Sequence, residues 1–212
     1  MPDFNPECKN CPRLARHLAQ IRRDYPSYHA KPVAPFGPEQ HQLLIVGLAP
    51  GMHGANATGR PFTGDHAGIM LYDTLFRFGF ANKAISKSKN DGLELNNCRI
   101  TNAVKCLPPE NKPIGREIST CNHYLASELA VSGVSTVILA LGRIAHNAVL
   151  LAKNIKQKDY PFIHGQLHEL GDGQRLIDSY HCSRYNTQTR RLTAEMFDEI
   201  FYNIVEILNI TN

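Results

Sequence analysis

Two patterns of apolar and polar positions take turns along the chain. Short unbroken apolar runs, Leu43-Leu44-Ile45-Val46 and Thr136-Val137-Ile138-Leu139-Ala140-Leu141, read as buried strands. Cys98 to Val104 alternates loosely before Pro108-Pro109 and predicts a second strand with its tip at Asn102 to Lys105, Cys98 lying in the core. Arg175 to Tyr180 gives the fourth main strand, and Gly171-Asp172-Gly173 joins it to His168-Glu169-Leu170 as a hairpin. Between these runs, apolar residues recur at helical spacing: Leu14, Leu18, Ile21 and Tyr25; Ile69, Tyr72, Leu75 and Phe76; Ile118, Cys121, Tyr124, Leu125 and Leu129; Ile144, Ala148, Val149 and Leu151; Met196, Phe197, Ile200, Ile204 and Ile207. Continuous apolar strands alternating with helices imply a parallel sheet covered on both faces.

The connection after the first strand departs from this economy. Strand-to-helix links usually take ~2 to 6 residues, and longer ones without structure of their own are often functional. Here Gly47, Gly51, Gly54, Gly59, Gly64 and Gly68 punctuate the link, with Pro50 and Pro61 restricting its path and Phe62 and Asp65 embedded in it. Glycines allow close backbone approach, so such a loop is suited to hug a flat ligand. By contrast, Asn82 to Asn97 is polar, contains Asn90-Asp91-Gly92, and reads as surface loop.

The length of 212 residues suits one domain, residues 1–212, with a single sizeable core. A formal charge of +4 permits nucleic-acid binding without demanding it, and Arg13, Arg16, Arg22 and Arg23 share one face of the first helix. The start of the chain lacks the form of a secretion signal and no run approaches the ~18 apolar residues of a membrane span. The expectation is a soluble, cytoplasmic protein with no membrane partner. In that setting cysteines point to metal binding or plain burial. Cys8 and Cys11 form C-x2-C, and Cys106 and Cys121 form a second, wider pair. Together they suit one four-thiolate site, whose spacing leaves zinc and iron-sulfur both open.

Ligands of open α/β sheets bind beyond the carboxyl ends of the strands. The strands end at the glycine loop, at Asn102 and at His181-Cys182-Ser183, so an aromatic, a carboxylate, an amide and an imidazole share one rim.

Gly47-Leu48-Ala49-Pro50-Gly51, Gly59-Arg60-Pro61-Phe62-Thr63-Gly64-Asp65, Thr101-Asn102-Ala103-Val104-Lys105-Cys106 and His181-Cys182-Ser183 resemble the ordered motifs of the iron-sulfur uracil-DNA glycosylases. Leu48, where family 4 members carry a glutamate, and the insertion Met52 to Thr58 resemble the B-type group, family 5. The likeness runs from Cys8 to about Thr193. It implies a three-layer α/β/α sandwich around a four-stranded, mainly parallel sheet, with Cys8, Cys11, Cys106 and Cys121 on a 4Fe-4S cluster. It further implies a monomeric, monofunctional enzyme that starts base excision repair on uracil-containing DNA by hydrolysing the N-glycosidic bond of a flipped nucleotide. By the same resemblance Asp65 and His181 are catalytic. Gly47, Leu48, Gly51, Phe62 and Asn102 bind the base, and Ser183, Arg184, Tyr185, Arg190 and Arg191 contact DNA. Leu48 and Gly51 leave the pocket loose, extending activity to C5-modified and deaminated bases. Two positions depart from the family, which usually has Pro at Cys182 and Gly at Arg190. The competing expectation is a non-catalytic iron-sulfur or zinc protein that binds DNA through its arginine helix.

Overall fold

The computed structural model describes residues 4–209; the first and last three residues of the expected 1–212 domain lie outside it. Its centre is a five-stranded sheet in the order β2-β1-β3-β5-β4. Strands β1 (Leu43–Gly47), β2 (Cys98–Asn102), β3 (Val137–Leu141) and β5 (Arg175–Ser179) run parallel, and β4 (Leu167–Glu169) pairs antiparallel with β5. The expected count of four is therefore corrected to five: the short arm of the hairpin stays hydrogen-bonded to β5 and becomes an edge strand.

Alternation along the strands sorts the core. Leu43, Ile45, Val137, Leu139, Leu141 and Ile177 face one layer, with Leu71, Tyr72 and Leu75 of α3 (His66–Arg77) and Phe197, Ile200, Phe201 and Ile204 of α7 (Ala194–Ile207). Leu44, Val46, Ile138, Ala140 and Leu176 face the other, with Leu125 and Leu129 of α4 (Gly115–Val131) and Ala145, Ala148 and Val149 of α5 (Arg143–Ala152). A helix stripe against each face excludes water from both sides of the sheet, which is why these strands read as continuous apolar runs. Leu14, Leu18 and Ile21 of α1 (Pro12–Asp24) form a third cluster with Val104, Leu107, Cys121 and Tyr124.

Several stripe positions turn outward. Ile69 and Phe76 are exposed on α3, whose inner face is built from Gly68, Leu71, Tyr72 and Leu75 instead. Tyr25, Ile144 and Leu151 are likewise partly open. The glycine connection holds a turn of helix, α2 (Ala55–Thr58), and the segment after His181 forms α6 (Arg184–Gln188); neither has enough apolar periodicity to be read from sequence.

Candidate active site at the strand ends

The carboxyl ends of the four parallel strands open on one cavity of about 530 Å³, lined by Leu48, Gly51, Phe62, Asp65, Asn102 and His181 among others. Gly47 closes β1 and is paired with Asn102, which closes β2. A Cβ at Gly47 would fall 2.7 Å from Cζ of Phe62 and closer still to Oδ1 of Asn102, so only glycine lets amide and ring meet across the strand end. A Cβ at Gly51 or Gly54 would drive into the Asp65 carboxylate, and one at Gly68 into the Phe62 carbonyl. The glycines thus fold the loop tightly around two side chains.

Phe62 is buried and sits at φ +57°, a left-handed conformation that costs a non-glycine residue about 1–3 kcal/mol. Its ring lies 6.0 Å from that of His181, inclined by 26°. Asn102 is 3% exposed and its Oδ1 has no hydrogen-bond partner; Nδ1 of His181 is similarly buried and unpartnered. A buried polar atom left unpaired costs about 1–3 kcal/mol, and here two residues that line one cavity each carry such an atom. Burial lowers the His181 pKa to about 4, leaving the ring neutral near pH 7. Burial also raises the Asp65 carboxyl, opposed by backbone N–H groups of Ala55 and Gly51; the Ala55 bond to Oδ2 is 3.1 Å.

The third strand end was not among the expected site elements. Beyond Leu141, Gly142 takes φ +95° and donates its N–H to Ser179 O at 2.8 Å, bringing Arg143 and Ile144 to the cavity wall. Asn111 and His66 complete it, His66 Nε2 reaching Thr187 Oγ1 of α6 at 3.2 Å. The strand-end rule applied to Thr136–Leu141 would have found Arg143 and Ile144; Asn111 carries no such signal.

Ser183 caps α6 by accepting from Asn186 N, and Ser183 and Arg184 line the cavity. Tyr185, Arg190 and Arg191 stand outside it, Tyr185 exposed and Arg191 over the Tyr180 ring at 4.6 Å. Arg190 adopts φ +55°, which gives a backbone reason for the glycine usual at that position in the resembled family. Cys182 is fully buried between the two site residues His181 and Ser183.

Four of the cysteines gather away from this cavity. Cys8, Cys11, Cys106 and Cys121 line one small pocket, and none forms a disulfide. Burial, with repulsion from neighbouring cysteines, raises the thiols of Cys11 to about 11 and Cys106 to about 12, and burial raises that of Cys121. The Lys105 N–H donates to Cys121 Sγ at 3.3 Å. Four cysteines lining one pocket fit a cationic centre, which takes such residues as thiolate ligands.

The uracil DNA glycosylase superfamily profile matches residues 34–204, from before β1 into α7. The chain belongs to the uracil DNA glycosylase superfamily. Within that superfamily it is similar to a type-5 uracil-DNA glycosylase of Thermus thermophilus, 42% identical over 91% of this chain and 90% of that protein. It is also similar to a type-5 uracil-DNA glycosylase of Pyrobaculum aerophilum, 40% identical over 91% of this chain and 85% of that protein. A type-4 uracil-DNA glycosylase of Thermotoga maritima is more distant, 27% identical over 73% of each chain. The superfamily profile spans every cavity residue named above, whereas Cys8 and Cys11 precede it.

Proposed function

We propose that the chain is a uracil-DNA glycosylase acting in base excision repair, and that its substrate base occupies the strand-end cavity. The observation that carries this reading is the unpartnered Asn102 amide oxygen, buried beside the Phe62 and His181 rings. Uracil offers N3–H as donor and O4 as acceptor, which Asn102 Oδ1 and Nδ2 complement; cytosine reverses the pattern. Flipping a nucleotide costs a few kcal/mol. Stacking on Phe62, at roughly 1–3 kcal/mol, and two hydrogen bonds at roughly 0.5–1.5 kcal/mol each are of the same size. Uracil therefore balances the cost, while a base that mispairs with Asn102 does not.

As the glycosidic bond breaks, negative charge collects on the base and positive charge on the sugar. Preorganised groups aimed at those charges lower the barrier. His181, neutral near pH 7, donates a hydrogen bond toward uracil O2, and Asp65 as carboxylate orients the attacking water or stabilises the sugar cation. Leu48 and the Gly47–Gly51 backbone hold the base. Ser183, Arg184 and Tyr185 at the start of α6 and Arg190 and Arg191 just beyond it meet the DNA, the protein acting as a monomer. Cys8, Cys11, Cys106 and Cys121, which line one pocket, hold a 4Fe-4S cluster that ties α1 to the loop after β2. Among the described residues no helix is long and apolar enough to cross a membrane.

Uracil-containing duplex incubated with the protein and then treated with alkali should break at the uracil. Intact DNA, with or without loaded cluster, would overturn the reading. His181→Ala should slow release by roughly 100- to 1,000-fold, as loss of one oxyanion donor does.

A further inference from the structure

The strained backbone of Phe62 is gripped on both sides by residues that do not reach the cavity. On the preceding side, the hydroxyl of Tyr72, fully buried on α3, donates to the Pro61 carbonyl at 2.7 Å. Burial pushes that hydroxyl's pKa up to about 12, so it remains a donor. On the following side, Thr63 Oγ1 accepts from Arg60 Nε at 2.8 Å and shares a 2.6 Å hydrogen bond with Ser86 Oγ. Arg60 is 3% exposed, and its guanidinium forks onto Asp91, 3.0 Å to Oδ1 and 2.7 Å to Oδ2, while lying 4.9 Å from the Phe36 ring centroid. Asp91 in turn accepts from the backbone N–H groups of Lys87, Ser88 and Leu93. The polar stretch that the sequence assigns to the surface thus reaches under the glycine loop.

A bidentate arginine–carboxylate pair fixes orientation as well as distance. Two residues flanking one strained φ, each tied to a different element, leave Phe62 few alternatives. We propose that Tyr72 and the Arg60–Asp91 pair are positioning residues that hold Phe62 in its left-handed conformation, and that through them the loop around Asp91 controls stacking on the extruded base. The inference rests on the reading of Phe62 as the stacking residue. Its physical premise is that catalytic geometry is steep: a misplacement of ~1 Å costs about 100-fold.

The test uses the cluster-loaded full chain and two variants that preserve shape, Tyr72→Phe and Asp91→Asn, each made alone and in a Phe62→Ala background. With Phe62 present, each should slow single-turnover uracil release by roughly 10- to 100-fold. In the Phe62→Ala background neither should slow it further. A further loss there equal to the loss with Phe62 present would assign the two residues a general structural role and overturn the proposal. Amide hydrogen exchange supplies a readout independent of activity. Both variants should speed exchange at residues 60–64 while leaving the strand amides unchanged, and unchanged exchange at 60–64 would overturn the clamp. If Phe62→Ala alone keeps the wild-type rate, the stacking reading fails, and the exchange result still decides whether the clamp exists.

Discussion

Replacing Gly47 with alanine places one methyl group between the two side chains that would contact the base. The backbone there has little freedom. Gly47 is buried at the end of β1, and its carbonyl accepts from Ala103 N at 2.9 Å. The added Cβ would stand 2.7 Å from Phe62 Cζ and 2.9 Å from Cε2, with Asn102 Oδ1 nearer still. Carbon atoms rest at about 3.5–4.0 Å, so the Phe62 ring must withdraw by about 1 Å and the amide must rotate away. Overpacking of this kind costs about 1–3 kcal/mol. At roughly 2–4 °C per kcal/mol for a chain of this size, Tm should fall by roughly 2–12 °C. The rate should suffer more, by about 100-fold, because the displaced groups are those proposed to stack on and read the base. Gly115→Ala is the control: nothing lies within 4 Å of its Cβ, at the start of α4, and neither activity nor folding should be harmed. Single-turnover release from a uracil duplex with enzyme in excess, together with melting curves, measures both effects. A Gly47→Ala rate within twofold of wild type would refute the packing of Asn102 and Phe62 around the base.

Asn102→Asp replaces the amide donor by a second acceptor and should weaken uracil release while admitting some cytosine release; matched duplexes carrying each base measure it. With Leu48 and Gly51 on the wall, C5-substituted uracils should be released at rates within reach of uracil, since an apolar pocket separates analogues differing by one methylene by only ~1–3 kcal/mol. Cys106→Ser should lose iron and lower Tm, read by iron analysis of anaerobically purified protein; full iron retention would remove Cys106 from the ligand set. The His181 pKa, lowered by burial from 6.5 to about 4, sets a pH signature. The unfolded imidazole takes its proton near pH 6.5 and the folded one only near pH 4. Stability therefore falls as pH drops through that window, by up to ~3 kcal/mol. Asp65, with its raised pKa, acts in the opposite sense just above 3.8. Comparing wild type with His181→Ala by denaturant titration from pH 4 to 7 isolates the histidine part, and identical slopes would contradict it.

What the sequence disclosed depended on how local its signals were. Strands with both faces buried carry short unbroken apolar runs, Leu43–Val46 and Val137–Leu141, so β1 and β3 were legible, while turn glycines marked β5 as a hairpin arm and glycine spacing marked the loop. The helix α3 was legible as an element but not in its facing. Ile69 and Phe76 share its spacing, yet the inner face is completed by Gly68, required there by the Phe62 carbonyl rather than by hydrophobicity. The site's outline followed from strand ends, but the rule was incomplete until the end of β3 added Arg143 and Ile144. The Arg60–Asp91 pair joins residues 31 positions apart, one in the glycine loop and the other in a stretch that reads as polar surface loop. Burial of Arg60 exists only once those loops close over Phe36, so no local pattern announces it.

The rim holds features that a sequence chosen for stability alone would not keep. Glycine at 62 would relieve the positive φ, and an apolar residue at 102 would remove an unpaired amide oxygen. The first change would also give up the buried Phe62 ring, and in the proposed reading each would delete a group that discriminates among bases. The costs are tolerated because the strands behind the rim are buried on both faces and because the clamp around Phe62 denies the chain a cheaper conformation. In the free protein the Asn102 oxygen and the His181 nitrogen carry their desolvation cost already. If they read the base as proposed, a uracil edge would meet groups that need no further dehydration, whereas a base with the opposite pattern would leave them unpaired and add its own lost hydrogen bonds to water. In the proposed reading, selectivity at this site arises from polarity placed, unsatisfied, at the end of an otherwise apolar sheet before any DNA arrives.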